Sequence, residues 1–236
     1  MAKYYTQDQF FRALRKEIKG KSEGGGLFTF EGSKYIVHSG CWTITYDTQT
    51  PPVITSYYSA QDCARMYARF VNRDGLRFHI YRKTLFSGIK HLLGMQDIII
   101  GDPEFDAAFV IKANKPEQAK ALFSDQKLRD LITAQQMVNI RTRFDAADFT
   151  GGFGDKSDEL HFEVPGGFWE VEPLKGLFLL FEEMLLQLVR IGSAYEVDPA
   201  IPTDLPPADS LLRPARQSAE MNPDQLPRPA DKPQAS

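Results

Sequence analysis

Alternating hydrophobic and polar positions predict antiparallel strands in the first third of the chain. Trp42, Ile44 and Tyr46 alternate with threonines, which is the pattern of a half-buried strand. The apolar segments Leu27–Phe30 and Tyr35–Val37 flank the sequence Glu-Gly-Ser-Lys, which is typical of a hairpin. Short connections of this kind favour strands that run antiparallel.

A second predicted hairpin joins Arg65–Val71 to Leu76–Arg82. Both segments alternate, and the Asp-Gly pair between them is a strong hairpin signal. One face would be apolar, and the other would carry arginine, histidine and tyrosine side chains. Guanidinium groups beside tyrosines can hold phosphate or stack on a base. The candidate ligand-binding residues are therefore Arg65, Tyr67, Arg69, Arg77 and Tyr81.

The segment from Arg65 to Lys90 is locally basic. It contains seven cations and one anion, Asp74, although the whole chain has a net charge of −3. One interpretation of this basic segment in a net acidic chain is that it forms an anion-binding surface. The other is a solvated outer face, where arginine stems cover the sheet or pair with acids from elsewhere in the chain. We favour the second, because a nearly neutral chain has no global field that draws it to polyanions.

Apolar residues at helical spacing predict several helices. Thr6–Lys19 is amphipathic, with Thr6 as its cap. Further helices are expected from Pro116 and after Ser124 or Asp125, because proline suits the first turn and short polar side chains suit the cap. The segment Pro173–Gly192 is apolar almost all round, apart from a narrow polar strip that includes two adjacent acids. Those acids would be costly in a bilayer, so this segment is expected to be a buried helix that packs on the sheet or between protomers.

The central stretch, Met95–Lys112, combines two apolar runs with a tight connection. Three isoleucines, Ile98–Ile100, predict a strand that is buried on both faces. Gly-Asp-Pro ends this strand, because Pro103 has a fixed φ and no N–H. Phe105 and Phe109 are four residues apart, as on one side of a single helical turn, and a second strand follows.

The sequence G-M-Q-D-I-I-I-G-D-P-E-F-D-A-A-F-V-I-K in this stretch resembles a motif of uncharacterised bacterial domains of unknown function. In those domains a strand, a D-P-E-F-D-type turn and a second strand precede a helix rich in alanine and leucine. The resemblance covers roughly Leu76 to Ser193. It implies no activity and no functional residue.

Length and composition predict one main folded domain. The chain has 236 residues, of which 42% are hydrophobic and 12% aromatic, enough for a substantial core. The expected divisions are an N-terminal helix and glycine-rich link (1–22), a single α+β domain (23–195) and a disordered, proline-rich tail (196–236). Nine of the fifteen prolines lie in that tail, which lacks hydrophobic periodicity. The predicted fold class is α+β, with a mostly antiparallel sheet and packed helices.

Cysteine usage and the N-terminal sequence predict a cytoplasmic protein. Cys41 and Cys63 are not in a C-x-x-C spacing, and the expectation is two reduced thiols. The N-terminal residues lack the apolar core of a signal peptide. The sequence predicts no transmembrane segment.

Motifs for catalysis or for metal and cofactor binding are not found in the sequence. The histidines show no H-x-x-x-H or H-E-x-x-H spacing, and no G-x-S-x-G or G-x-G-x-x-G follows a predicted strand. We therefore identify no catalytic residues, no metal ligands and no cofactor. The leading hypothesis is a non-enzymatic, cytoplasmic binding or scaffold domain whose unidentified partner is either a protein or a membrane-associated one. The alternatives are an enzyme of unrecognised type with a cleft between sheet and helices, and a module that binds nucleic acid or acidic lipid through the Arg/Tyr face.

Peripheral membrane contact is a weaker expectation and rests on one short segment. Leu85–Met95 is an amphipathic stretch flanked by Arg82, Lys83 and Lys90, which could lie in an anionic interface. A single short helix of this kind more often covers its own sheet. The sequence therefore favours a protein partner over nucleic acid or a membrane.

Overall fold

The computed structural model describes residues 7–23, 34–49, 63–83, 96–144, 157–166 and 170–200. The helices among these residues are α1 (Gln7–Glu17), α2 (Pro103–Ala108), α3 (Pro116–Phe123), α4 (Gln126–Ala134) and α5 (Val171–Arg190). The strands are β1 (Lys21–Glu23), β2 (Lys34–Ser39), β3 (Trp42–Gln49), β4 (Cys63–Asn72), β5 (Phe78–Arg82), β6 (Gln96–Ile98), β7 (Phe109–Ala113), β8 (Asn139–Phe144), β9 (Ser157–Pro165) and β10 (Ala194–Tyr195).

All ten described strands belong to one sheet. Its order is β1-β2-β3-β4-β9-β8-β5-β7-β6, and β10 pairs with one end of β4. Every neighbouring pair of these strands is antiparallel. The predicted α+β class with a mostly antiparallel sheet is confirmed.

The core lies between the helices and one face of the sheet. Buried residues of α1, α3, α4 and α5 form a single hydrophobic cluster with the inward residues of the strands. In α1, Phe10 and Leu14 are fully buried, and the hydroxyl of Tyr35 on β2 donates to the carbonyl of Ile18 at 2.8 Å. The N-terminal helix therefore packs into the same core as the sheet.

Strand β4 shows the predicted alternation clearly. Ala64, Met66, Ala68 and Phe70 are buried against the helices, and the residues between them are half-buried on the opposite face. This period of two places alanine, methionine and phenylalanine side chains on one side of the pleat.

The predicted hairpin between Arg65–Val71 and Leu76–Arg82 is wrong. Strands β9 and β8 lie between β4 and β5, and the two arms do not pair with each other. Asn72 shapes the connection: its side chain accepts from the Gly75 N–H at 2.7 Å and donates to the Leu76 carbonyl at 3.1 Å. Gly75 has the positive φ of +76° that an Asp-Gly turn favours. The Asp-Gly pair therefore predicts the turn correctly. The strands that pair with β4 and β5 at this point, β9 and β8, come from a distant part of the sequence.

The expected burial of Ile98–Ile100 on both faces is also wrong. Strand β6 lies at the end of the strand order and pairs only with β7 among the described strands. Ile98 is buried in the core, whereas 66% of Ile99 is exposed. Consecutive β-branched residues favour an extended chain at an edge as well as at the centre of a sheet.

The D-P-E-F-D sequence forms the predicted tight connection, and its polar residues have structural roles. The Asp102 carboxylate caps α2 by accepting from the Phe105 N–H at 3.2 Å, and Pro103 occupies the first turn. The Asp106 carboxylate accepts from the N–H groups of residues 100 and 101 at 3.0 and 2.9 Å. Phe105 is buried, with its ring 4.8 Å from that of Phe109.

The long C-terminal helix is buried, as predicted, and it also buries polar residues. Leu180 and Leu185 are fully buried. Glu183 and Gln187 are also buried, rather than lying in a solvent-facing polar strip. The Glu183 carboxylate accepts from the ammonium of Lys127 on α4 and from the guanidinium of Arg190 at 2.8 Å. Burial opposes its charge, but these two cations together lower the pKa of Glu183.

Several expectations lie outside the described residues. They concern the strand at Leu27–Phe30, the helix at Leu85–Met95 and the proline-rich tail beyond residue 200. Cys41 and Cys63 are described, and both are free thiols. Burial raises the pKa of the Cys41 thiol.

Candidate binding face of the sheet

The face of the sheet that points away from the helices carries polar residues. These residues lie directly opposite one another on neighbouring strands. Residues that are directly opposite on neighbouring strands point to the same face. Arg65 on β4 lies between Asp47 on β3 and Glu163 on β9. Tyr67 lies opposite His161 in the same way.

The same face continues across β8, β5 and β7. Arg141 on β8 is opposite His161 on one side and His79 of β5 on the other. Lys112 on β7 is then opposite His79. We call this surface the outer face, and we define it by the residues Thr45, Asp47, Arg65, Tyr67, Arg69, Glu159, His161, Glu163, Asn139, Arg141, Arg143, His79, Tyr81 and Lys112.

The residues that the sequence predicts for ligand binding are divided between two distant strands. Arg65, Tyr67 and Arg69 lie together on β4. Tyr81 lies on β5, three strand spacings or about 14 Å away. Arg77 precedes β5, and its backbone N–H donates to the Asn114 side chain at 2.7 Å. The structure therefore shows the five residues as two groups, with β9 and β8 between them.

Arg65 forms a bidentate ion pair with Asp47. Its Nε and Nη2 donate to the two carboxylate oxygens at 2.8 and 2.6 Å. Asp47 is buried, although it is charged. Burial works against the charge of Arg65, but the bond to Asp47 outweighs it and raises the pKa of the guanidinium. The Arg65 guanidinium also lies 5.7 Å from the centre of the Tyr67 ring, and burial raises the pKa of that phenol.

His161 is the centre of a second charged group. Its side chain is only 2% exposed. Nδ1 lies 2.8 Å from Glu159 Oε1, and because a carboxylate can only accept, Nδ1 carries the proton. Nε2 lies 3.1 Å from Arg143 Nη1 and 3.4 Å from Glu163 Oε2, and Arg143 Nη1 is also 3.4 Å from Nδ1. Arg141 donates to the nearby Glu163 carboxylate at 3.2 Å. Both nitrogens of the imidazole are therefore engaged.

The hydrogen bonds around His79 fix its tautomer. The Asn139 Nδ2 group donates to the Glu163 carbonyl at 2.7 Å, which directs Asn139 Oδ1 towards His79. His79 Nε2 lies 2.7 Å from that oxygen and must donate the proton. Nδ1 is then an acceptor, and it is buried without a hydrogen-bond partner in the described part of the chain. Burial lowers the pKa of His79, so the ring is held neutral.

Sequence reasoning missed the acids that face the predicted arginines. Asp47 comes from β3, and Glu159 and Glu163 come from β9. The alternation Glu-Leu-His-Phe-Glu-Val over residues 159–164 could have indicated that these acids share a face. It could not have indicated that β9 lies beside β4, because no local pattern specifies a distant strand.

A separate cavity of about 260 Å³ lies between α2 and α4, and the Arg129 side chain in its wall makes structural contacts. Arg129 donates to the carbonyls of Phe123 and Ser124 at 3.0 and 2.7 Å and is 3.3 Å from Asp102. Within the described ranges, no group of three or more His, Cys, Asp or Glu side chains could hold a metal ion.

Comparisons with known proteins give little further information. No family model matches the chain, and no curated protein matches it. A crystal structure of the mycobacterial trehalose monomycolate transport factor A, TtfA, aligns with 81% of this chain and 96% of its own chain. The sequence identity is 8% and the TM-score is 0.45, a similarity too low to carry an argument about function. The helices that the structure describes are all too short or too polar to cross a membrane.

Proposed function

We propose that this protein is a non-enzymatic binding domain that contacts a protein partner through the outer face. The observation that carries the proposal is the pairing of cations with acids from neighbouring strands across this face. Arg65 pairs with Asp47, and Arg141 pairs with Glu163. The cytoplasmic location expected from the sequence stays a prediction.

Paired charges fit a protein partner better than a polyanion. A polyanion would have to compete with Asp47 and Glu163 for the arginines, and it would be repelled by both acids. A protein surface of mixed charge can contact cations and anions together, and complementary charges give specificity and faster association. The Arg141 and Glu163 side chains are 37% and 35% exposed, so both are accessible to a partner.

The geometry of the histidines also supports binding rather than catalysis. A general base needs a free lone pair within reach of the substrate proton. His161 is buried, and both of its ring nitrogens are engaged by neighbouring side chains. The free lone pair of His79 is on a buried atom. Proton transfer at either ring would first require the outer face to rearrange.

The test compares two charge-neutral double variants. Arg141→Ala with Glu163→Ala removes one ion pair from the outer face. Glu117→Ala with Lys120→Ala removes a matched exposed pair from α3, on the helical side of the sheet. Each protein is used as bait in native lysate, and captured proteins are quantified by mass spectrometry.

We expect a partner that binds the wild type and the α3 variant but is lost with the outer-face variant. Thermal denaturation of both variants should show that they remain folded. The same captured proteins with all three baits would contradict the proposal.

Binding of nucleic acid or acidic lipid remains the second candidate, and the contact between Arg65 and Tyr67 is the observation that favours it. We expect no binding to DNA, RNA or anionic vesicles at about 20 mM salt, where surface electrostatics are strongest. Binding that is lost in the Arg69→Glu variant would favour this candidate over a protein partner, because Arg69 lies on β4 with Arg65 and Tyr67.

A further inference from the structure

Leu179 is an exposed leucine in the middle of α5, between buried neighbours. Its side chain is 48% exposed, whereas Phe178 and Leu180 on either side are buried. Among the described residues, Ile99 is the other large hydrophobic residue with comparable exposure. Isolated exposed leucines are common, so exposure alone does not indicate an interface.

A groove next to Leu179 gives this exposure a structural context. It has a volume of about 220 Å³ and lies between the end of α1, strands β2 and β3, and α5. Its apolar lining includes Ile18, Val37, Ile44 and Phe178, and its polar lining consists of Glu17, Lys19, Ser39, Lys175 and Glu182. Pockets that enclose a drug-sized ligand have about 300–1,000 Å³. This groove is smaller and suits one inserted apolar side chain.

Opposite charges flank Leu179 along α5. Lys175 lies about one turn before it and Glu182 about one turn after it, and both line the groove. Lys175 forms an ion pair with Glu17 at 3.1 Å. This pair is exposed and contributes little to stability, because water can solvate both charges. Glu182 accepts from the Ser39 hydroxyl through Oε1 at 2.6 Å, and a carboxylate has a second oxygen that can accept from a cation.

We propose that this surface binds a second copy of the same chain, with the two α5 helices antiparallel and crossing at Leu179. In a two-fold arrangement each residue before the crossing point lies beside a residue after it in the partner. Lys175 of each copy then lies beside Glu182 of the other. Leu179 of each copy inserts into the groove of the other. The two-fold arrangement therefore pairs each Leu179 with a groove and each Lys175 with a Glu182.

The self-complementary charges favour a second copy over an unrelated helix. An unrelated helix would need an apolar residue with an acid and a base at the matching positions. This chain already presents that pattern beside the groove that would accept it. The proposal concerns the helical side of the molecule and is independent of partner binding at the outer face.

The first experiment measures the oligomeric state of the full chain by sedimentation equilibrium. We expect a concentration-dependent dimer for the wild type and at least about tenfold weaker dimerisation for Leu179→Asp, because the variant would place a carboxylate against the apolar residues of the groove. The matched control is Ile99→Asp, which changes the other exposed hydrophobic residue and should leave the dimer unchanged.

A charge exchange tests the orientation of the helices. Lys175→Glu and Glu182→Lys should each weaken the dimer by about fivefold, because each affects two symmetric contacts. The double variant restores opposite charges across the two-fold axis and should recover the affinity of the wild type. A monomeric wild type, a dimer that Leu179→Asp does not weaken, or a double variant without recovery would each overturn the proposal. Circular dichroism and melting temperature verify that all variants are folded.

Discussion

Truncation of Leu180 to alanine tests whether α5 is the central helix of the core. Leu180 is fully buried, and α5 contacts both α1 and α4. Removing its buried methyl groups loses their transfer free energy and leaves a cavity, because a packed core relaxes only in part. We expect the free energy of unfolding to fall by about 2–5 kcal/mol.

The expected change is measurable by two independent methods. In a domain of this size about 1 kcal/mol shifts the melting temperature by about 2–4 °C, so the loss corresponds to about 4–20 °C. Urea denaturation should show a lower midpoint with an unchanged slope, because the surface exposed on unfolding is nearly the same.

Leu179→Ala is the matched control, because it makes the same chemical change one residue away. Leu179 is 48% exposed, so its truncation should lower the free energy of unfolding by less than about 1 kcal/mol. The sample is dilute so that the monomer is measured. Equal decreases in the free energy of unfolding for the two variants would show that α5 does not bury Leu180 and expose Leu179. A loss below about 1 kcal/mol for Leu180→Ala would refute its burial in the core.

Three further changes test other parts of the structure. The neutral state of buried His79 predicts that stability falls as the pH drops below about 6.5, because only the unfolded chain then takes up this proton. In denaturation titrations, His79→Gln should reduce the change in the free energy of unfolding between pH 7.5 and 5.5. The same pH dependence in the variant and the wild type would contradict the neutral state of His79. Gly20→Ala should destabilise the protein by about 1–3 kcal/mol, since its Cβ would lie 2.7 Å from the Ile36 carbonyl oxygen; an unchanged melting temperature would show that the backbone moves easily. Asp47→Ala should cost about 1–3 kcal/mol, and much less in an Arg65→Ala background, because the lone guanidinium would lose its buried partner. A double-mutant cycle without coupling would show that the two charges are independent.

Local features of the fold could be predicted from the sequence, and long-range pairings could not. Alternation along β4 gives the correct buried and half-buried residues, because it depends only on the pleat. The cap at Asp102 could also be predicted, because a capping side chain bonds to its own helix. The insertion of β9 and β8 between β4 and β5 depends on contacts between residues as distant in sequence as Ala64 and Val164, which no short window of sequence contains.

The candidate site shows the same division between local and distant information. Arg65, Tyr67 and Arg69 share a face, as the sequence predicts. Their electrostatic environment differs from the prediction, because Asp47 and Glu163 come from strands on either side. Similarly, the sequence shows the polar strip of α5 but not the cation that accompanies it into the core, because Lys127, which pairs with buried Glu183, comes from α4.

The position of β9 beside β4 affects the order in which the protein can fold during synthesis. Asn72 at the end of β4 donates a hydrogen bond to Asp158 of β9, which is 86 positions later. At about 5–20 residues per second, a ribosome needs roughly 4–17 s to make the intervening chain. During this interval β2, β3 and β4 can form a meander, but the edge of β4 lacks its partner strand. Unpaired edges of this kind promote aggregation, so the nascent chain passes through a period in which chaperones have an exposed strand to protect.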